Sequence, residues 1–274
     1  MTILVTGATG TVGRHVVDHL LHAGLPVRAL TRDPAKADLP REVEVVGGDL
    51  AVTDSLTAAM EGVTAVHLIN FGGDDYAPLP NGREIVQLAA KSGVRRATVL
   101  GGRADGSMEE ALAGGEVEWT LLNPVEFMAN TLTWWAESVR AEAVVREPFG
   151  GRLSAMIHEA DIGAVAATIL GRGGHGGRTY VLTGPEALTT VRKVEILGEA
   201  VGREIRFVEL TEEQARDKWR SEGMGEEFIE FLVTALGSTP EEGYTVVPTV
   251  EQITGRAPRT FARWAAEHAD AFRP

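Results

Sequence analysis

The chain has no cysteine, which removes disulfides, thiol nucleophiles and thiolate metal sites together and fits a reducing cytoplasm. Lysine is nearly as scarce: Lys36, Lys91, Lys193 and Lys218 are all there are, and arginine carries the rest of the positive charge. With 26 Lys plus Arg against 39 Asp plus Glu, the net charge is −13. A phosphate polyanion is repelled by such a surface, so nucleic acid is excluded as a natural partner. No stretch approaches the roughly 18 consecutive apolar residues of a membrane helix, and the first residues lack the basic and apolar regions of a secretory leader. The expectation is a cytoplasmic protein with no membrane contact, with monomer and homo-oligomer both open.

Within 274 residues there is room for a large α/β domain and a smaller lobe. Short apolar runs at Thr2–Val5, Val27–Leu30, Val43–Val46, Ala65–Ile69, Ala97–Leu100 and Val117–Leu122 read as strands buried on both faces. Between them "GRHVVDHLLHAG", "TDSLTAAMEG", "GREIVQLAAKSG" and "MEEALAGG" have helical spacing and end in a glycine suited to a left-handed C-cap. Strand and helix in alternation predict a Rossmann-type doubly wound parallel sheet over residues 1–182. "EFMANTLTWWAESVRAEAVV" reads as one long helix or two, "HEADIGAVAATIL" as another, and "RTYVLTGPEALT" as a last strand leaving the sheet. Residues 183–274, with short helices around an isolated strand "EIRFVEL", read as a smaller C-terminal α/β lobe for substrate, and segment 124–150 as lining the cleft.

In "TGATGTVG" a strand runs into a helix through Gly7, Ala8, Thr9, Gly10, Thr11, Val12 and Gly13. Gly7 permits the tight turn, Gly10 lets backbone approach a pyrophosphate, and Gly13 lets helix and strand pack closely. The helix start adds amide donors and a positive dipole end. At the end of the second strand, where an acid would accept the ribose 2′-hydroxyl of NAD, stand Thr31 and Arg32. An arginine there suits a 2′-phosphate, so NADP(H) is preferred over NAD(H). Asp33 precedes Pro34 and is therefore held extended, turned from the ribose; the alternative is an Arg32–Asp33 surface ion pair. Asp49 and Leu50 follow the third strand and suit adenine, although Asp49 also reads as a helix cap. Asn70, Phe71 and Gly72 follow the fourth, beside the nicotinamide half.

The segments "TGATGTVG", "TRDP", "GDLAVTDSL", "NPVEFMAN", "HEADIGAVAA" and "LTGPEALT" together resemble the NmrA-like branch of the atypical short-chain dehydrogenase/reductases, in order and to about Glu209. The resemblance implies a Rossmann domain with a small C-terminal lobe and an NAD(P) site in the cleft. The family includes quinone reductases, reductases of aromatic polyketide pathways, and redox sensors that bind the dinucleotide without turning it over. The wider superfamily protonates its substrate with Tyr and Lys four residues apart, with a Ser nearby. Here Tyr76, Tyr180 and Tyr244 are each without that lysine, and Gly101 and Gly102 stand where the serine is usual, leaving Gly101 as a cofactor contact. Asn123 replaces a common arginine.

Reduction of an isolated ketone makes a localised alkoxide that needs a positioned acid. A quinone spreads the charge over its ring, and solvent can protonate it. The missing pair therefore points to a bulky, conjugated, quinonoid acceptor, with the catalytic residues unassigned and no metal. Phe127, Met128, Trp134 and Trp135 are candidates for its pocket; the same helical spacing also describes core. His15, His19 and His22 share one helix at metal-ligand spacing but read as a solvated face, His158 as a loop-to-helix contact, and Glu109 and Glu110 as an exposed charged turn. Two functions stay open at this point: an NADP(H)-dependent reductase, and a non-catalytic NAD(P)(H)-binding redox sensor.

Overall fold

β1 (Thr2–Val5), β2 (Val27–Thr31), β3 (Glu44–Gly47), β4 (Val63–Ile69), β5 (Arg96–Leu100), β6 (Glu118–Pro124) and β8 (Arg178–Leu182) form one sheet in the order β8-β6-β5-β4-β1-β2-β3. Every pairing in it is parallel. The computed structural model describes residues 1–72, 77–101 and 106–274; Tyr76 and Gly102 lie outside them. Strand order reverses between β1 and β4, the position at which a doubly wound sheet opens a crevice at its carboxyl edge.

Alternation along the strands supplies both faces. Leu4, Leu30, Val66, Leu68, Val99 and Leu121 share a core with Ile85, Val86 and Ala89 of α2 (Gly82–Lys91) and with Met108 and Leu112 of α3 (Ser107–Ala113). Elsewhere α1 (Gly13–His22) packs on α5 (Glu159–Arg172). α5 is buried nearly all round, as its run of Ile, Val, Ala and Leu requires. The two helices approach so closely that a Cβ on Gly163 would lie 2.6 Å from the His15 Cβ. Of the expected glycine caps, Gly24, Gly62 and Gly93 have positive φ (70°, 70° and 89°). α3 instead ends at Gly114 with φ −91°.

The chain divides into two units, and not at one boundary near residue 182. Residues 1–124, 159–182 and 249–256 make the first; 125–158, 183–248 and 257–274 make the second. The sheet needs α5 and β8 to complete it, which brings the chain back after residue 158. In the second unit α4 (Asn130–Glu142) stops at Ala143 in the left-handed region (φ 53°). Val144–Glu147 then forms β7, paired in parallel with β9 (Arg206–Glu209). The "EIRFVEL" strand is thus not isolated, and the tail of the expected long helix is a strand; its β-branched pair Val144 and Val145 is buried, as suits a strand. This unit's core gathers Trp135, Val139, Val145, Leu197, Phe261, Trp264 and Phe272. Beside it Glu126 binds Arg152 through two hydrogen bonds (3.0 and 3.1 Å), and Lys193 Nζ donates to Ser154 Oγ at 2.8 Å. Burial opposes ionisation of Glu126, yet Lys193 and Arg152 hold its carboxyl below the usual range.

His67 lies in the middle of the sheet on β4, wholly buried. Its Nδ1 is 2.9 Å from Thr98 Oγ1, and among the described residues its Nε2 has no partner. Burial pushes its pKa from 6.5 down to about 4. Between those values the unfolded chain takes up a proton that the folded one refuses, so unfolding free energy rises with pH across this window. Urea unfolding should therefore show about 3 kcal/mol lost from His67 alone between neutrality and pH 4. A His67→Leu variant should lack that increment, and an unchanged pH slope would show that the imidazole is not the source.

Candidate dinucleotide site

At the carboxyl end of β1 the backbone turns at Gly7 with φ 59°, a conformation costly for any residue with a Cβ. The Gly7 carbonyl then accepts the Gly10 N–H at 2.9 Å. A Cβ at Gly13 would fall 2.0 Å from the same oxygen, so only glycine lets α1 start there. Ala8 and Val12 are buried beneath the turn, Thr9 is half-buried, and Gly10 and Thr11 are exposed. Below it the Thr6 hydroxyl donates to the His67 carbonyl (2.9 Å) and accepts the Ile69 N–H (3.1 Å), tying β1 to β4.

α1 begins at Val12 with no side-chain cap and no acid in its first turn. The Arg14, His15 and Val16 N–H groups turn back to the Gly10 and Val12 carbonyls (3.3, 3.0 and 3.1 Å), and the positive dipole end, with no acid against it in the first turn, fits a diphosphate. Arg14, which the sequence reading passed over, folds back on this loop. Its Nη2 donates to the Thr9 carbonyl at 2.9 Å and its Nε to that of Gly10 at 3.3 Å, leaving an exposed cation at the loop. The available signal was its place immediately after Gly13.

At the end of β2, Arg32 is exposed and Thr31 Oγ1 accepts the Asp33 N–H at 3.3 Å. Asp33 is extended (φ −130°, ψ 91°), as its place before Pro34 requires; its carboxylate caps the next turn through Ala35 N–H and pairs with Lys36 at 3.1 Å. After β3, Asp49 Oδ1 accepts the Ala51 N–H at 2.9 Å, a local turn and not a helix cap, since the following helical turn starts from Val52. Leu50 does not present its side chain as an adenine cover: it is buried in the core with Leu30 and Leu56.

Beyond β4, Asn70, Phe71 and Gly72 are half-buried, and Gly101 follows β5 in a buried position. A Cβ on Gly101 would sit 2.2 Å from the Asn70 amide nitrogen, so the Asn70 side chain occupies the space a residue there would fill. That amide donates from Nδ2 to Glu109 Oε1 at 2.6 Å. Glu109, on the first turn of α3, is 6% exposed. The exposed charged turn expected at 109–110 is thus half correct: Glu110 is exposed beside Arg83 (3.3 Å), and Glu109 is buried.

In the second unit Met128 and Trp135 are 1% and 3% exposed and packed in the core, which corrects their assignment as pocket walls. Seven residues apart, they share the buried stripe of their segment, and Trp135 Nε1 donates to Glu147 Oε1 at 2.6 Å. Burial pushes the Glu147 carboxyl up against that bond. Phe127 and Trp134 are half-buried. The α1 histidines do not form one solvated face: His15 and His19 are half-buried, with His19 Nε2 3.1 Å from the Ala160 carbonyl, and His22 is exposed. No metal-binding cluster occurs among the described residues. His158 is buried with its Nε2 3.0 Å from Glu267.

Gly13→Ala should lower the unfolding free energy by about 1–3 kcal/mol in urea and weaken NADPH binding with it. Gly24→Ala, where φ is 70° but the space is open, should lose about 1 kcal/mol and keep its affinity. Equal losses of affinity in both would sink the role given to the Gly7–Gly13 contact.

Residues 7–172 match the NAD(P)H-binding family. Over 286 aligned residues, 99% of each chain, the protein is 37% identical to the (4-alkanoyl-5-oxo-2,5-dihydrofuran-3-yl)methyl phosphate reductase of Streptomyces griseus subsp. griseus. It is 34% identical over 285 residues to the NAD(P)H azoreductase of Xenophilus azovorans, covering 98% of this chain and 99% of that one. Among solved structures, an NADPH-dependent quinone oxidoreductase of Escherichia coli aligns with a TM-score of 0.79 and 25% identity, over 97% of this chain and 98% of the other. With its uncapped helix start behind a glycine turn at the switch point of the sheet, the chain belongs to the NAD(P)H-binding family.

Proposed function

We propose that the protein is an NADPH-preferring reductase that passes hydride to a bulky conjugated, quinonoid small molecule. The observation that carries this reading is the missing acid–base pair. None of Tyr76, Tyr180 and Tyr244 has a lysine four residues on, and the Tyr180 hydroxyl is engaged with His175 Nδ1 at 2.9 Å. The acceptor must therefore be one whose hydride adduct needs no protein acid. Names of the relatives support this. An azo bond, a quinone, and a dihydrofuranone alkene conjugated with two carbonyls are all electrophiles that delocalise the incoming electron pair.

Bound NADPH supplies the hydride, so that quinone, NADPH and one proton become hydroquinone and NADP+. The chain's own work is to hold and orient. The Gly7–Gly13 turn and the positive dipole end of α1 hold the diphosphate. Arg32 takes the 2′-phosphate, with Arg14 adding positive charge at the loop. Asn70, Phe71, Gly72 and Gly101 line the nicotinamide half. Holding the two reactants in contact supplies much of the acceleration. Solvent delivers the proton in a cytoplasmic setting, and no helix among the described residues is long and apolar enough to cross a membrane.

The test is anaerobic. NADPH and a panel of hydroxylated naphthoquinones and anthraquinones are added to the purified protein, and absorbance is followed at the nicotinamide band. Protein-dependent oxidation with hydroquinone formation is the expected result. Tight NADPH binding with no turnover across the panel would instead make this a dinucleotide-binding sensor. Arg32→Ala should cut kcat/KM for NADPH about 10- to 100-fold, the worth of one charge-assisted contact, and leave NADH within about twofold. An equal loss with both cofactors would remove Arg32 from the specificity.

A further inference from the structure

We propose that Glu109 is a positioning residue for the nicotinamide, whose negative charge, passed through the Asn70 amide, favours the oxidised, positively charged ring over the reduced, neutral one. This rests on the reading above, that NADPH is the hydride donor. Asn70 stands at the carboxyl end of β4, at the switch point of the sheet where the crevice opens. Its amide is fixed. The carboxylate oxygen of Glu109 accepts from Nδ2 at 2.6 Å, so Nδ2 is the end that faces Glu109 and Oδ1 the end that faces away.

Two glycines hold the pair in that arrangement. The space at Gly101 is filled by the Asn70 amide, with a Cβ there 2.2 Å from its nitrogen, and a Cβ on Gly106 would lie 2.3 Å from Glu109 Oε2. Carboxylate and amide are thus wedged between backbone positions that leave no room for a side chain. The amide dipole lies along the line from the carboxylate outward, so the charge on Glu109 strengthens Oδ1 as an acceptor.

Glu126 is answered by Arg152 and Lys193 and Glu118 by Arg96, whereas Glu147 has a neutral donor, the Trp135 indole. Glu109, at 6% exposure, has a neutral amide as its partner among the described residues. No cation among the described residues answers its charge, and in surroundings of low dielectric that charge acts over several ångströms. Loss of hydride leaves the nicotinamide with a positive charge. A fixed negative charge behind Asn70 lowers the free energy of that state and so favours hydride donation, the direction a reductase runs.

The experiment is titration of the whole protein with NADP+ and with NADPH, giving the ratio Kd(NADP+)/Kd(NADPH), in wild type and in Glu109→Gln, Glu109→Asp and Glu110→Gln. Glutamine keeps an acceptor for Asn70 and removes the charge, so E109Q should raise the ratio roughly tenfold and slow single-turnover hydride transfer. Asp retains the charge and should stay within about threefold of wild type; Glu110→Gln, exposed, should not move the ratio. A purely structural role for Glu109 would weaken both nucleotides alike, and an unchanged ratio in E109Q overturns the proposal. If E109Q melts below the assay temperature, Asn70→Ala replaces it, where a rise of at least about twofold is expected and no change overturns the proposal. Binding of neither nucleotide by the wild type would overturn the NADPH reading and this one with it. Binding with an unmoved ratio overturns this one alone.

Discussion

One backbone oxygen organises the first unit. The carbonyl of Gly7 takes the Gly10 N–H and closes against the α-carbon of Gly13, leaving no volume for a side chain. That contact fixes where β1 ends, where α1 begins and the angle between them. Everything nearby inherits the geometry. α1 can then lie against α5 with His15 over Gly163, and Thr6, one residue before the turn, is placed to bridge β1 and β4 with its hydroxyl. The chain accepts the conformational entropy lost at three glycines because the packing and the free helix end cannot be had with any other residue.

Charge is organised on two length scales. The whole chain is strongly acidic, and a long polyanion meets that net field. A dinucleotide carries its charges on a few atoms, and beyond about 8 Å physiological salt screens the rest of the surface. In the proposed function two exposed arginines, Arg14 beside the glycine turn and Arg32 at the end of β2, receive it together with the α1 dipole. A net acidic chain can therefore hold a small phosphorylated cofactor without contradiction.

What was legible in the sequence was local. The seven main strands, the glycine turn, the extended Asp33 before Pro34 and the acid-started α5 all follow from residues within one element or its ends. What was not legible depended on contacts between distant segments. Glu109 looks like half of a solvated Glu-Glu turn, and only the neighbouring of β4 and β5 brings Asn70, 39 residues earlier, to its carboxylate. Leu50, Met128 and Trp135 were readable as apolar and periodic, but periodicity does not say whether a stripe faces a ligand or a core, and here each faces the core. Val144–Glu147 continues a helical pattern by composition, and its pairing with β9 decides otherwise.

Buried and half-buried carboxylates are answered in two ways, by cations at Glu126 and Glu118 and by neutral donors at Glu147 and Glu109, and the difference bears on function. Glu126, Arg152 and Lys193 compensate one another, and Ser154 Oγ accepts a hydrogen bond from Lys193 Nζ. Such a network suits a packed scaffold, because its cost of desolvation is met within the cluster. The carboxylate of Glu109 meets an amide, and no cation answers it among the described residues. Retaining that arrangement costs stability, since a hydrogen bond to a neutral group answers only part of the desolvation. A fold that keeps it at the carboxyl edge of the sheet, with Gly101 and Gly106 leaving the space, spends stability at the one edge where a change of charge on a bound group would repay it.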